Sequence, residues 1–92
     1  MLVDNLRIDA AMAWWQFIIW NDEPGENVDK IGQHGLTMED VEHALQYPQK
    51  HVSSKSSGRP AVYGYTPDGD YIFVVYEEVD DATIEPITAY YV

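Results

Sequence analysis

Tyr71-Ile72-Phe73-Val74-Val75-Tyr76 is apolar at every position. A strand with one wet face alternates apolar and polar residues, whereas a run without alternation is covered on both faces. Six residues are short for a buried helix, and the β-branched and aromatic content favours a strand. The stretch therefore predicts the central strand of a sheet. With 92 residues the chain has room for one domain and one modest core. The remaining elements must be arranged around this strand.

Turn chemistry marks its neighbours. Pro67-Asp68-Gly69-Asp70 precedes it and Asp80-Asp81 follows it. Ala61 to Thr66 reads as a strand with Ala61, Tyr63 and Tyr65 on one face. Gln49 to Ser54 reads as a weaker strand, joined to it through Ser56-Ser57-Gly58. Thr83 to Tyr91 is the last strand, and Pro86 within it requires an edge position or a bulge, because proline cannot donate a ladder hydrogen bond.

Upstream, Gln16 to Trp20 is β-branched and aromatic and predicts a first strand. Asn21 or Asp22 caps a helix with Pro24 in its first turn, running to about Gln33, with Val28 and Ile31 inward. Gly35 after His34 stops it. Thr37 and Asp40 form a capping box for a second helix. There Met38, Val41, Ala44 and Leu45 make an apolar stripe, and Glu39, Glu42 and His43 lie on the outer side. Pro48 ends that helix. The expected fold is α+β in two layers: a strand, a helical hairpin, then a four-stranded, mostly antiparallel meander. Residues 16–92 form the domain. Residues 1–15 are an N-terminal extension open to helix, strand or frayed arm, in which Asp4 is a candidate cap for a short helix from Asn5 to Ala13.

Composition narrows the function classes. The chain is 46% hydrophobic and 13% aromatic, which is globular rather than disordered. It has no cysteine, so disulfides, a thiolate nucleophile and thiolate metal sites are excluded. Ala10 to Trp20 is mostly apolar, but it lacks a basic lead-in and a small-residue cleavage site and is too short to span a membrane. A soluble, cytoplasmic protein without a membrane partner is expected. A net charge of −11 opposes nucleic acid and anionic lipid at long range. Any anion site has to act locally.

One segment is suited to that. Lys50 to Arg59 holds three of the five Lys and Arg residues, and no Asp or Glu occurs between Glu42 and Asp68. The segment is either a solvated hairpin or a site reserved for an anion. Ribonuclease chemistry without a metal needs a general base, cations on the phosphate and a general acid. His51 or Lys55 offers proton transfer, Arg59 offers bidentate phosphate binding, and Lys50 adds a cation. Tyr63 and Tyr65 offer base stacking or a proton, and on one hairpin these side chains can share a face. The alternative for the two tyrosines is packing against the helices. Glu39 and His43 are spaced i, i+4, but no third ligand is evident, so no metal or other cofactor is expected. His34 suits the negative end of a helix.

The order Trp20-Asn21-Asp22, Asn27, then His34-Gly35-Leu36-Thr37-Met38-Glu39-Asp40-Val41 resembles the opening of the BrnT-like toxins, within the wider RelE-like ribonuclease toxins. Gly64, the Pro67-Asp68-Gly69 turn, Val74-Val75-Tyr76 and Ile87-Thr88-Ala89 extend the resemblance over about residues 16–92. It implies a RelE/BrnT-like fold and a toxin–antitoxin system. The implied activity is metal-independent endoribonuclease cleavage of messenger RNA, restrained by a DNA-binding antitoxin partner. The family's closing strand carries a functional Arg where this chain has Tyr90, so Tyr90 joins the candidate catalytic residues His51, Lys55 and Arg59. A tyrosine brings no guanidinium charge, which weakens the expected activity. The rival expectation is a non-catalytic interaction module that kept the fold, and a third is a small domain binding an anionic metabolite.

Overall fold

The computed structural model describes residues 14–92. The expectations for residues 1–13, including the helix from Asn5 to Ala13, lie outside the described residues. The elements run β1 (Phe17–Ile18), α1 (Asn27–Gln33), α2 (Met38–Gln46), β2 (Pro48–Ser53), β3 (Pro60–Tyr65), β4 (Tyr71–Glu78) and β5 (Thr83–Tyr91). The class is α+β. The sheet has five strands rather than four, in the order β1-β5-β4-β3-β2. It is mixed, because β1 adds parallel to β5 through Phe17–Thr83 and Ile18–Ile84 while the other pairs are antiparallel.

β4 is the middle strand, as its unbroken apolar run requires. Ile72, Val74 and Tyr76 point to one face and meet Ile31, Leu36, Val41, Ala44 and Leu45 of the helical layer. Phe73 and Val75 point to the other face and are buried against Ala61, Val52, Tyr63 and Ile87. The core is thus split by the sheet, with most of it under the helices. Trp14 and Trp15, read from sequence as part of the extension, pack against the helical-side core. The Trp15 indole N–H donates to the Leu45 carbonyl at 3.1 Å.

The helix boundaries carry two corrections. α1 begins at Asn27, not near Pro24, with Glu26 at the cap and no side-chain capping bond. Asn27 is drawn inward instead and is buried. Its Oδ1 accepts from the Asn21 amide at 2.9 Å, and its Nδ2 donates to the carbonyls of Ile19 and Pro86, each at 2.9 Å. The turn before α1 is left for Pro24 and Gly25. The predicted strand over Gln16 to Trp20 shrinks to two residues, since Asn27 takes the Ile19 carbonyl. α2 forms with the expected capping box: Thr37 Oγ1 accepts from the Asp40 amide at 3.2 Å and Asp40 Oδ2 accepts from the Thr37 amide at 3.0 Å. Met38, however, is exposed, so the stripe starts at Val41.

Two close approaches lock helices to sheet. α2 crosses β3 at Gly64, where an added Cβ would lie 2.8 Å from the Ala44 carbonyl oxygen. Only glycine allows the backbones that near. On β5 the register shifts beside Tyr76, which faces Pro86, so a bulge absorbs the proline's missing donor. Pro86 is buried and its carbonyl receives the Asn27 amide.

Candidate functional site

Strand alternation sorts the candidate residues by face. Lys50 pairs with Tyr63, Val52 with Ala61, Tyr63 with Phe73, and Phe73 with Tyr90. These side chains lie on the face away from the helices. The tyrosines of β3 therefore do not pack against the helices. They form an aromatic row on the uncovered side of the sheet: Tyr65 meets Tyr71 at 4.8 Å between ring centroids, Tyr71 stacks on Tyr63 at 5.6 Å, Tyr63 meets Phe73 at 4.8 Å, and Phe73 meets Tyr90 at 5.5 Å. Tyr90 in turn meets His34 at 5.9 Å.

A groove of about 520 Å³ opens on this face, lined by Lys50, Ser54, Lys55, Tyr63, Phe73 and Tyr90 among others, with no carboxylate side chain in its walls. Two ammonium groups and phenol rings in one groove suit an anionic group attached to a planar ring. The β2–β3 turn supplies the serine wall. It is closed by the Gly58 amide donating to the Ser54 carbonyl at 2.7 Å and by Gly58 at φ +73°, a conformation glycine adopts freely.

The structure brings together Lys50, Lys55, Tyr63 and Tyr90 at this groove, with Tyr65 farther along the same row. It does not bring in His51. His51 pairs with Val62, which is buried on the helical side, so its ring faces the opposite way and meets Trp14 edge-on at 4.9 Å. The expected shared face fails for this residue because adjacent strand positions point to opposite faces. Arg59 lies beyond Ala61 on the groove's own face, but its Nε donates to Glu77 Oε2 at 3.1 Å. The two side chains are 41% and 48% exposed, so the pair is worth no more than about 1 kcal/mol.

Sequence reasoning missed Phe73, Glu77 and the approach of His34 to Tyr90. The first two follow once β3 and β4 are placed in register. His34 follows only from where α1 ends over β5.

A second, shallower depression on α2 holds Glu39, Glu42, His43 and Tyr47. Two of its polar groups have structural roles. His43 Nδ1 donates to the Tyr65 carbonyl at 2.6 Å, which fixes the proton on that nitrogen, and Glu42 accepts from the Trp20 indole at 2.7 Å. These residues, expected on the outer side, tie α2 to β3 and to the chain after β1. Among the described residues, no group of three or more His, Cys, Asp or Glu is placed to hold a metal ion. No helix among them is long and apolar enough to cross a membrane.

Tyr76 has a phenol pushed above its ordinary value, chiefly by burial and then by the Glu78 carboxylate. The Trp14 indole offsets part of this. The two groups do not reach good hydrogen-bonding geometry, because Trp14 Nε1 is buried with no partner among the described residues. Asp80 is held below the usual carboxylate range by the Ala82 amide and then the Thr83 hydroxyl in the β4–β5 turn.

Comparison with models of known protein families, with curated proteins and with solved structures finds no match to this chain.

Proposed function

We propose that this chain is a toxin-like protein that contacts single-stranded RNA across the uncovered sheet face, with an antitoxin as its protein partner. The observation that carries the RNA reading is the groove. Two lysines and two tyrosines singled out from the sequence line one cavity whose side chains include no carboxylate. In this reading Lys50 and Lys55 hold backbone phosphates, and Tyr63 and Tyr90, backed by the buried Phe73, offer stacking surfaces that accept any base. The RelE/BrnT-like lineage and the antitoxin rest on the resemblance in chain order. If the protein cleaves RNA, Lys55 and Tyr90 are the proton-transfer groups at the groove, in place of His51.

A second reading is a non-catalytic interaction module. It is favoured by His51 facing Trp14 and by Arg59 being tied to Glu77, which leave proton transfer and phosphate binding short of the expected set. One experiment separates the two. Purified protein is incubated with messenger RNA and with a short labelled single strand, beside Lys55→Ala and Tyr90→Phe. Cleavage by the wild type that both variants lose supports the ribonuclease. Binding without cleavage, weakened by Lys55→Ala, supports the interaction module with RNA as its ligand. No binding of either RNA overturns the RNA reading.

A further inference from the structure

We propose that Glu77 guards the groove by pairing with Arg59, so that an incoming phosphate meets a guanidinium whose charge a carboxylate already offsets. The inference rests on the RNA reading of the groove and adds a control element to it. Continuing the β3–β4 register from Ala61–Val75 places Arg59 opposite Glu77 on the groove's face. Between this pair and Tyr63 the same face carries the apolar cluster of Ala61, Val52, Val75 and Ile87, without a charged side chain among them. Ser54, in the groove wall, donates its amide to the Arg59 carbonyl at 2.7 Å, so the Arg59 backbone adjoins that wall although its side chain does not line the cavity.

Chemistry sets how the guard works. Glu77 accepts from Nε, which leaves the terminal amino groups of the guanidinium for a second acceptor. The fork suits carboxylate and phosphate alike, so a phosphate that reaches the terminal amino groups shares the guanidinium charge with Glu77. The exposed pair is weak, so a ligand with several phosphates overcomes it, whereas an isolated anion meets a neutralised site. Glu77 therefore favours polyanions that also reach Lys50 and Lys55 over small anions. The same arrangement accounts for how an acidic chain can carry a cationic groove without holding every anion it meets.

The test is a fluorescence-anisotropy titration of a short labelled single-stranded RNA into the wild type, Glu77→Gln, Arg59→Ala and the double variant, with melting temperatures recorded for each. The guard predicts that Glu77→Gln binds about two- to five-fold tighter and that the double variant binds no better than Arg59→Ala alone. Wild-type binding that Glu77→Gln leaves unchanged or weakens overturns the guard while the RNA reading stands. Binding by neither protein overturns both. Tightening that persists in the double variant overturns the guard too, since it then reflects a general loss of negative charge.

Discussion

Asn27 Nδ2 donates to the Pro86 carbonyl at 2.9 Å across 59 residues of sequence. The bond joins the first residue of α1 to the bulge of β5, and the same amide nitrogen takes the Ile19 carbonyl beside β1. One buried side chain thus holds the start of the helical layer, the short parallel strand and the kinked strand in place. Asn27→Ala removes three hydrogen bonds and strands buried carbonyls. A destabilisation of about 2–4 kcal/mol is expected, since an unpaired buried polar group costs more than the lost bond alone. Thermal unfolding checks it, with a fall of about 10–20 °C. Asn27→Asp keeps the acceptor for Asn21 but loses both donors, so it should be no milder.

The contact of Gly64 with Ala44 gives a steric prediction. In Gly64→Ala the new methyl falls 2.8 Å from a helix carbonyl oxygen, and backbone cannot step aside as a side chain can. Overpacking of this kind costs about 1–3 kcal/mol. Gly32→Ala is the control: a Cβ there meets nothing within 4 Å, and alanine is the better helix former, so stability should hold or rise slightly. Denaturant midpoints of the two variants should move in opposite directions, or only the first should move.

Tyr76 predicts an alkaline limit. Its phenol is raised from an unfolded value of 10.0, mainly by burial. A folded pKa above the unfolded one means that its contribution is fully present below about pH 10 and is lost as pH rises through the folded value. Denaturant titrations from pH 8 to 11 should show stability falling above pH 10. In Tyr76→Phe the fall should be smaller, because the group that must ionise is gone.

Asp80 gives the acid counterpart. Its folded value is depressed by hydrogen bonds within the β4–β5 turn. Its contribution is present above the unfolded value of 3.8 and fades as pH drops through the folded one. Asp80→Asn should remove part of the acid sensitivity of the turn. Amide exchange at Ala82 and Thr83, followed from pH 5 to 2, reads this locally.

The groove predicts a division among the basic residues. Lys50→Ala and Lys55→Ala should each weaken single-stranded RNA binding and lower its salt dependence by about 0.7 per lost phosphate contact. His51→Ala should leave RNA binding unchanged, because its ring lies against Trp14 on the far face. Salt-dependent anisotropy titrations check both. A loss of affinity in His51→Ala equal to that in Lys50→Ala would contradict the assigned faces.

What the sequence by itself determined is local or periodic. The unbroken apolar run of β4 required a covered central strand, Thr37 and Asp40 set the start of α2, Gly35 ended the first helix, and Pro86 required an edge position or a bulge, of which the structure has the bulge. Each follows from steric or hydrogen-bonding demands that act within a few residues. The basic stretch and the tyrosines were legible as chemistry, and Lys50, Lys55, Tyr63 and Tyr90 do meet at one groove. What only the tertiary structure decided depends on register and on distant partners. The first helix starts at Asn27 rather than near Pro24, and the Asn27 side chain reaches the distant carbonyls of Ile19 and Pro86. The pairing of β1 with β5 was not legible because a parallel pair is not joined by a tight turn and leaves no turn signal. His51 was separated from Lys50 because neighbouring residues on a strand point to opposite faces, and which face is uncovered is settled only when the helices choose a side. Arg59 was tied to Glu77 because the register of two strands set them opposite each other, a relation between residues 18 apart that no local pattern encodes.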